Sequence, residues 1–248
     1  MIEVVMFIVL GAAMGTLGGL FGIGGGLVAI PALGVLFGLD QQLAQGTALL
    51  MVLPNVLLAL WRYNQRNRIR LRHALQLIVP SFVFAWITSL WAVRLDPQGM
   101  RLAFVLFLLV LIVFNLMQMV RSSARVGAGL RHERRLWMLG IVSGVTGGLF
   151  GVGGGVVATP VLTSVFGTSQ VVAQGLALAL AAPSTGITLL TYAWHQHVDW
   201  HMGIPLAIGG LASISWGVKL AHSLPERRLR TLFCVFLMFC AAALALKG

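Results

Sequence analysis

A dense run of glycines whose residue types and spacing suit anion binding occurs twice in the chain. Residues 18–31 read GGLFGIGGGLVAIP, and residues 147–160 read GGLFGVGGGVVATP. Glycine enters left-handed backbone conformations at no steric cost, so such a run can unwind a helix and expose its N–H groups. Free amides at the positive end of the next helix favour a negatively charged ligand. The predicted ligand-binding glycines are Gly22, Gly24, Gly25, Gly26, Gly151, Gly153, Gly154 and Gly155.

The glycine runs belong to a longer duplication. A shift of 129 positions superposes them without a gap, and 21 of the 37 residue pairs from position 18 to position 54 are identical. The match continues through a Gln-Gly pair and ends at Pro54 and Pro183. The chain is therefore a tandem repeat, and each half contains one candidate ligand-binding segment.

Uncharged polar residues near the glycine runs are candidates for orienting a ligand. Gln45 and Gln174 occupy equivalent positions, so we expect them to contact the ligand as a pair. The residues directly after Pro54 and Pro183 are also candidates, because proline removes an N–H group and frees a carbonyl inside a helix. Hydrogen bonding between helices is the alternative role for each residue. The complete set is Gln45, Gly46, Thr47, Asn55, Gln174, Gly175, Ser184 and Thr185.

Close helix packing is the alternative role for the glycines. Gly15 and Gly19, Gly18 and Gly22, and Gly22 and Gly26 have the GxxxG spacing that serves helix contact in membranes. A dinucleotide-binding fingerprint is excluded, because position 27 is Leu where that motif needs a third glycine, and no strand precedes the run.

Composition indicates that these segments lie in a bilayer. Hydrophobic residues make up 58% of the chain, charged residues make up 9%, and the mean hydropathy is +0.94. Several apolar runs reach the ~20 residues that a helix needs to cross a hydrocarbon core. Strand-type alternation is absent from the sequence, so we predict an all-α polytopic membrane protein without a β-barrel. The net charge of +11 comes from arginines in short connections, which indicates membrane topology rather than nucleic-acid binding.

The apolar segments predict about five helices per half. Residues 4–17 and 28–37 are each too short to span comfortably, so together they are expected to form a glycine-broken pair of helices. Longer spans are predicted over residues 42–61, 74–93 and 101–120. Residues 4–17 have no basic residue in front and recur within the chain, so they are interpreted as part of the fold rather than as a signal peptide.

Arginine placement predicts that the second half is inverted relative to the first. Loops 62–72 and 121–135 each hold five arginines, which places them in the cytoplasm. The counterpart of loop 62–72 is 191–202, which contains no Lys or Arg, whereas the basic stretch 219–230 replaces a lightly charged turn. The predicted organisation is one membrane domain, with a first repeat over 1–120, a linker over 121–136 and a second repeat over 137–248. Inverted repeats are typical of secondary transporters.

The charge inventory favours an anionic substrate. The six acidic residues all fall at segment ends or in loops. Buried carboxylates usually mark cation and proton paths, and none is left for the membrane interior. Two helix starts would supply the equivalent of about one positive charge, which suits a small monoanion. An inside-negative potential favours anion exit by ~2.3 kcal/mol per charge per 100 mV, so export could run without a coupling ion.

A histidine-rich loop supports two alternative functions. His195, His197, His201 and Asp199 could hold a metal, which would indicate a cation or metal permease, or they could belong to a membrane-embedded enzyme. Their spacing matches no familiar zinc site, and no nucleophile and base lie together in the sequence. We therefore expect a protein that is not an enzyme, with no metal and no cofactor.

The duplicated GLFGxGGG motif with its following proline, and the downstream Gln-Gly pair, resemble the sulfite exporter TauE/SafE family of bacterial inner-membrane permeases. The resemblance covers both halves. It implies outward transport of sulfite, sulfoacetate or a related organosulfonate, with Gly22 to Gly26, Gly151 to Gly155, Gln45 and Gln174 at the site. The expected partners are this small anion and the lipid bilayer, with no nucleic acid; the sequence also allows a homo-oligomer.

Overall fold

The computed structural model describes residues 2–21, 24–66, 71–120, 135–223 and 226–246, and in these ranges it contains ten helices and no strand. The helices are α1 (Ile2–Phe21), α2 (Gly26–Phe37), α3 (Gln41–Arg66), α4 (Leu71–Ala92), α5 (Pro97–Val120), α6 (Leu136–Phe150), α7 (Gly155–Ser164), α8 (Gln170–Trp194), α9 (Trp200–Ser223) and α10 (Glu226–Leu246). Six of them, α1, α3, α4, α5, α8 and α9, are long and apolar enough to cross a membrane. The prediction of an all-α polytopic membrane protein is confirmed.

Two expectations about segment length are wrong. Helix α1 has 20 residues rather than 14, because its buried glycines stay helical as far as Phe21, and it is long enough to span the bilayer alone. Helix α3 extends to Arg66 and α4 begins at Leu71, so most of the predicted loop 62–72 is helical. Of loop 121–135, the described residues include only Arg135, and residues 224 and 225 of the basic stretch 219–230 also lie outside the described ranges.

The predicted broken pair is a helical hairpin. A Cβ atom built on Gly18 of α1 would lie 2.5 Å from the Cα atom of Gly25, which precedes α2. At the other end of α2, the ring of Phe37 packs on that of Phe7 with 5.5 Å between centroids. Helix α2 therefore runs antiparallel to α1 and returns toward the side on which α1 began. With 12 residues, α2 covers roughly half of a bilayer.

Glycines spaced four apart hold the two halves together. The first helix of each half packs on the fourth helix of the other, α1 on α9 and α6 on α4. A Cβ atom on Gly15 would lie 2.6 Å from Cα of Gly210, and one on Gly144 would lie 2.5 Å from the carbonyl oxygen of Ser81. Helix packing was the alternative role of the glycines. It is the role of the glycines spaced four apart in α1 and α6.

Replacing Gly144 by leucine is expected to destabilise the bundle, because the new side chain would meet the backbone of α4 rather than a flexible side chain. Overpacking of this kind costs about 1–3 kcal/mol or more. The melting temperature of the purified protein in detergent measures the effect. The matched control is Gly34→Ala, whose Cβ atom would meet its nearest neighbour, Leu244, at 3.6 Å. An unchanged melting temperature in Gly144→Leu would contradict the packing role.

Helices α3 and α8, which are equivalent under the 129-residue shift, form the centre and run in opposite directions. Near the start of α3, Gln45 accepts a 2.8 Å hydrogen bond from the hydroxyl of Tyr192 near the end of α8. Near the end of α3, the ring of Tyr63 covers Gly175 at the start of α8. These two helices therefore place the polar residues of both halves along a common central seam.

Candidate functional site

The two glycine breaks meet at the centre of the bundle, between α3 and α8. A Cβ atom on Gly26 would lie 3.4 Å from the carbonyl oxygen of Gly151 and 3.5 Å from Cα of Val152. Val52 of α3 is fully buried, and its methyl groups would lie 3.1 Å from the Cβ atom on Gly26 and 3.7 Å from one on Gly153. The starts of α2 and α7 therefore converge on one buried region. We call this region, residues 24–26 and 151–155, the glycine junction.

Left-handed backbone conformations produce both breaks. Positive φ angles occur at Gly24 (70°), Gly25 (96°), Gly151 (67°), Gly153 (77°) and Gly154 (63°). Gly25 and Gly154 are the N-caps of α2 and α7, and neither helix start receives a side-chain cap. Each start thus presents amide groups and the equivalent of about half a positive charge to the junction. Gly22, the remaining predicted glycine, lies outside the described residues.

Thr185 of α8 brings a free hydroxyl to the second break. Its Oγ1 atom lies 2.9 Å from where a Cβ atom on Gly153 would sit, and the residue is 1% exposed. This oxygen has no hydrogen-bond partner among the described residues. A buried hydroxyl normally finds a partner, so an unpaired one beside uncapped amides is suited to a ligand.

Asn55 of α3 supplies the polar contact to the first break. Its Nδ2 atom donates a 3.4 Å hydrogen bond to the carbonyl oxygen of Gly24, while its buried Oδ1 atom has no partner within the described ranges. The repeat is asymmetric here. Ser184, the counterpart of Asn55, bonds to Leu180 of its own helix at 2.8 Å, and Val56 occupies the position that corresponds to Thr185. Asn55 at the first break and Thr185 at the second therefore come from different positions of the repeat.

Gln45 is a third polar residue beside the junction. It is 0% exposed, and a Cβ atom on Gly151 would lie 3.3 Å from its own Cβ atom. The hydroxyl of Tyr192 holds its Oε1 atom, which leaves the buried Nε2 atom without an acceptor in the described part of the chain. The sequence analysis missed Tyr192. The signal was available, because the 129-residue shift superposes Tyr192 on Tyr63, and these are the two tyrosines of the chain.

The other predicted site residues lie away from the junction. Gln174 is exposed near the start of α8, so the structure does not place the two glutamines in matching environments. Gly175 lies under the ring of Tyr63. Thr47 accepts a 3.0 Å hydrogen bond from the amide of Asp199, and Gly46 lies against the backbone of the same loop. These four residues occupy the two ends of the central seam rather than its middle.

The three histidines of the histidine-rich loop each contact a different neighbour. His195 pairs through Nδ1 with the carbonyl oxygen of Thr191 at 2.8 Å, His197 packs edge-on against Tyr192, and His201 packs against Phe7. Within the described ranges, no three His, Cys, Asp or Glu side chains come together as a metal site requires. The loop packs on the start of α3 through the backbone of His197 and Asp199.

The acidic side chains that the structure describes stay out of the junction. Glu3, Asp40 and Asp96 are exposed, and Asp199 is half-buried in the loop before α9. The junction itself contains amide, hydroxyl and carbonyl groups. Its fixed dipoles at the starts of α2 and α7 are positive, so the region is electrostatically suited to a small negative ligand.

Comparison with known proteins identifies the family of the chain. A model of the sulfite exporter TauE/SafE family matches residues 7–244. The chain is 26% identical over 244 residues to a probable membrane transporter protein of Methanocaldococcus jannaschii, covering 91% of this chain and 89% of that protein. It is 30% identical over 222 residues to a probable membrane transporter protein of Xylella fastidiosa, covering 86% and 82%. The chain is a multi-pass membrane transporter and belongs to the sulfite exporter TauE/SafE family.

Proposed function

We propose that this transporter carries sulfite, sulfoacetate or a related organosulfonate outward by alternating access, and that the anion binds at the glycine junction. The observation that carries the proposal is the convergence of two uncapped helix starts beside the unpaired hydroxyl of Thr185 and the unpaired amide of Gln45. Backbone and amide donors of this kind bind oxyanions without needing a fixed positive side chain.

Electrostatic balance supports a substrate of low charge. The two helix starts contribute the equivalent of about one positive charge in total. A monoanion such as hydrogensulfite or a simple sulfonate would be neutralised there, sulfoacetate would keep one net negative charge, and no carboxylate among the described residues would repel either from within the junction. A cation would meet the positive ends of two helices, which is unfavourable in a region of low dielectric constant.

The opposite directions of α3 and α8 support an inverted repeat. In this proposal, the two halves are inverted in the membrane and form one integrated domain, with α1 packed on α9 and α6 on α4. The ends that hold the basic segments 62–72, 121–135 and 219–230 face the cytoplasm of a bacterial inner membrane. Rocking of one half against the other around a fixed central site would then expose the junction to each side in turn.

Flux measurements on the reconstituted protein test the proposal. We expect proteoliposomes to take up or release sulfite or an organosulfonate, and Thr185→Val to raise the KM for the anion about tenfold, since a hydrogen bond to a charged group contributes about 1.5–3 kcal/mol. Thr188→Val is the matched control, because its buried hydroxyl bonds to Ser184 of its own helix. Absence of flux for all these anions, or equal KM values in the two variants, would contradict the proposal.

A further inference from the structure

The two tyrosines of the chain occupy equivalent positions of the repeat and lie at opposite ends of the central seam. Tyr63 stands near the end of α3 and Tyr192 near the end of α8, and the 129-residue shift superposes them. Each lies beside the Gln-Gly pair of the other half, Tyr192 beside Gln45 and Tyr63 beside Gly175. The repeat therefore places a tyrosine beside a Gln-Gly pair at each end of the junction, and among the described residues the tyrosine-to-glutamine hydrogen bond is formed at the Tyr192 end.

The end formed by Tyr192 is closed. Tyr192 and Gln45 are fully buried and joined by the 2.8 Å hydrogen bond. The loop after α8 lies across this end, held by the 3.0 Å bond from the amide of Asp199 to the hydroxyl of Thr47. Gly46 lets the loop approach, since a Cβ atom there would overlap the loop backbone.

At the end formed by Tyr63, the described side chains are more exposed. Gln174, the counterpart of Gln45, is exposed, and Tyr63 is half-buried with its ring resting on Gly175. No hydrogen bond joins Tyr63 to Gln174 in the described part of the chain. Leu176 occupies the position that corresponds to Thr47, so the hydroxyl that holds the loop at the closed end has no counterpart here.

We propose that Tyr63 and Tyr192 are alternating gate residues, each of which closes its own end of the junction by a hydrogen bond to the glutamine of the opposite half. In the structure the Tyr192 hydroxyl bonds to Gln45, whereas among the described residues Tyr63 forms no hydrogen bond to Gln174. In the opposite conformation the Tyr63 hydroxyl bonds to Gln174 while Tyr192 releases Gln45. The inference rests on the transport function proposed above, and it assigns the tyrosines a role in setting the conformation rather than in contacting the anion.

The chemistry of the side chains suits a reversible gate. A tyrosine hydroxyl and a glutamine amide form a neutral hydrogen bond, which contributes a modest net free energy in either conformation. A tyrosine-to-glutamine hydrogen bond forms at one end as the equivalent bond breaks at the other. The difference in free energy between the two conformations therefore stays small. A small difference allows a carrier to populate both states.

Hydrogen–deuterium exchange of the full-length protein in lipid nanodiscs tests the gates without a substrate. Tyr192→Phe keeps the ring and removes the hydroxyl, so the closed conformation loses the 2.8 Å bond to Gln45 and the longer 3.3 Å bond to the carbonyl oxygen of Leu149. We expect exchange to become about fivefold faster in residues 41–50 and 192–203, and to become slower in residues 170–178 as the opposite end closes. Gln45→Met, which removes the acceptor, should reproduce the result. Tyr63→Phe should leave residues 41–50 as protected as in the unchanged protein, or more protected.

The decisive result is faster exchange near Tyr192 together with slower exchange in residues 170–178. Thr188→Val is the control, because it removes a buried hydroxyl one turn from Tyr192 that bonds within α8. Faster exchange near Tyr192 without slower exchange in residues 170–178 would overturn the gate and leave a packing role for the tyrosine. The measurement contains no anion, so it remains readable if the protein fails to move sulfite or organosulfonates.

Discussion

Gly153→Ala is expected to reduce anion flux by at least about tenfold while the protein stays folded in the membrane. Gly153 has a φ of 77°, where a side chain costs about 1–2 kcal/mol, and the new Cβ atom would lie 2.9 Å from Oγ1 of Thr185. The methyl group would occupy the space in front of the hydroxyl that we assign to the anion. Initial flux into proteoliposomes, normalised to the amount of folded protein, measures the loss.

Gly38→Ala separates backbone strain from loss of the site. Gly38 ends α2 with a φ of 70°, close to that of Gly153, but a Cβ atom there would meet no atom within 4 Å. The two variants therefore carry similar strain, and Gly153→Ala alone obstructs the junction. If Gly38→Ala loses as much flux as Gly153→Ala, strain rather than the site explains the effect.

Asn55→Asp is expected to lower anion flux by about a hundredfold, which is the second large effect. The substitution keeps the shape of the side chain and adds a negative charge to a fully buried position that bonds to Gly24. An uncompensated charge at such a depth costs about 3 kcal/mol and repels an anion from the junction. Protonation of the new carboxyl removes the charge, so flux relative to the unchanged protein should recover as the pH falls.

Two further variants test whether that loss of flux is specific to the junction. Asn55→Ser introduces the residue that the other half has at the equivalent position, and we expect a much smaller loss of flux. Asn115→Asp makes the same isosteric change in α5, where the amide bonds to Leu111 of its own helix. Equal losses in both aspartate variants would show a general cost of charge in the bundle. Retained or increased cation flux in Asn55→Asp would favour the cation permease instead of the anion carrier.

The sequence predicted the class of the protein because composition and hydropathy act over the whole chain. A mean hydropathy of +0.94 is typical of a membrane protein. The duplicated glycines beside apolar runs predicted the breaks before α2 and α7. Segment ends were less accurate. Helix α1 continues through Gly15 and Gly19 because both pack on α9, and that stabilisation depends on a tertiary contact.

The site was predicted in part, for a similar reason. The 129-residue shift matches Gln45 with Gln174, but Gln45 is buried and Gln174 is exposed. Equivalent positions in a repeat do not fix the tertiary contacts that bury a side chain. The same shift could have identified Tyr63 and Tyr192 as a pair. The contact between Gly26 and Gly151 joins residues 125 positions apart, and nothing local in the sequence encodes it.

The uneven sharing of polar groups between the repeats makes each half dependent on the other. One half supplies Asn55 and a methyl-bearing Val56, and the other supplies Ser184 and Thr185. A chain assembled from two copies of the first half would place asparagine at both breaks and a hydroxyl at neither, and two copies of the second would do the reverse. A symmetric homodimer of either half would therefore have a different interior from that of the fused chain.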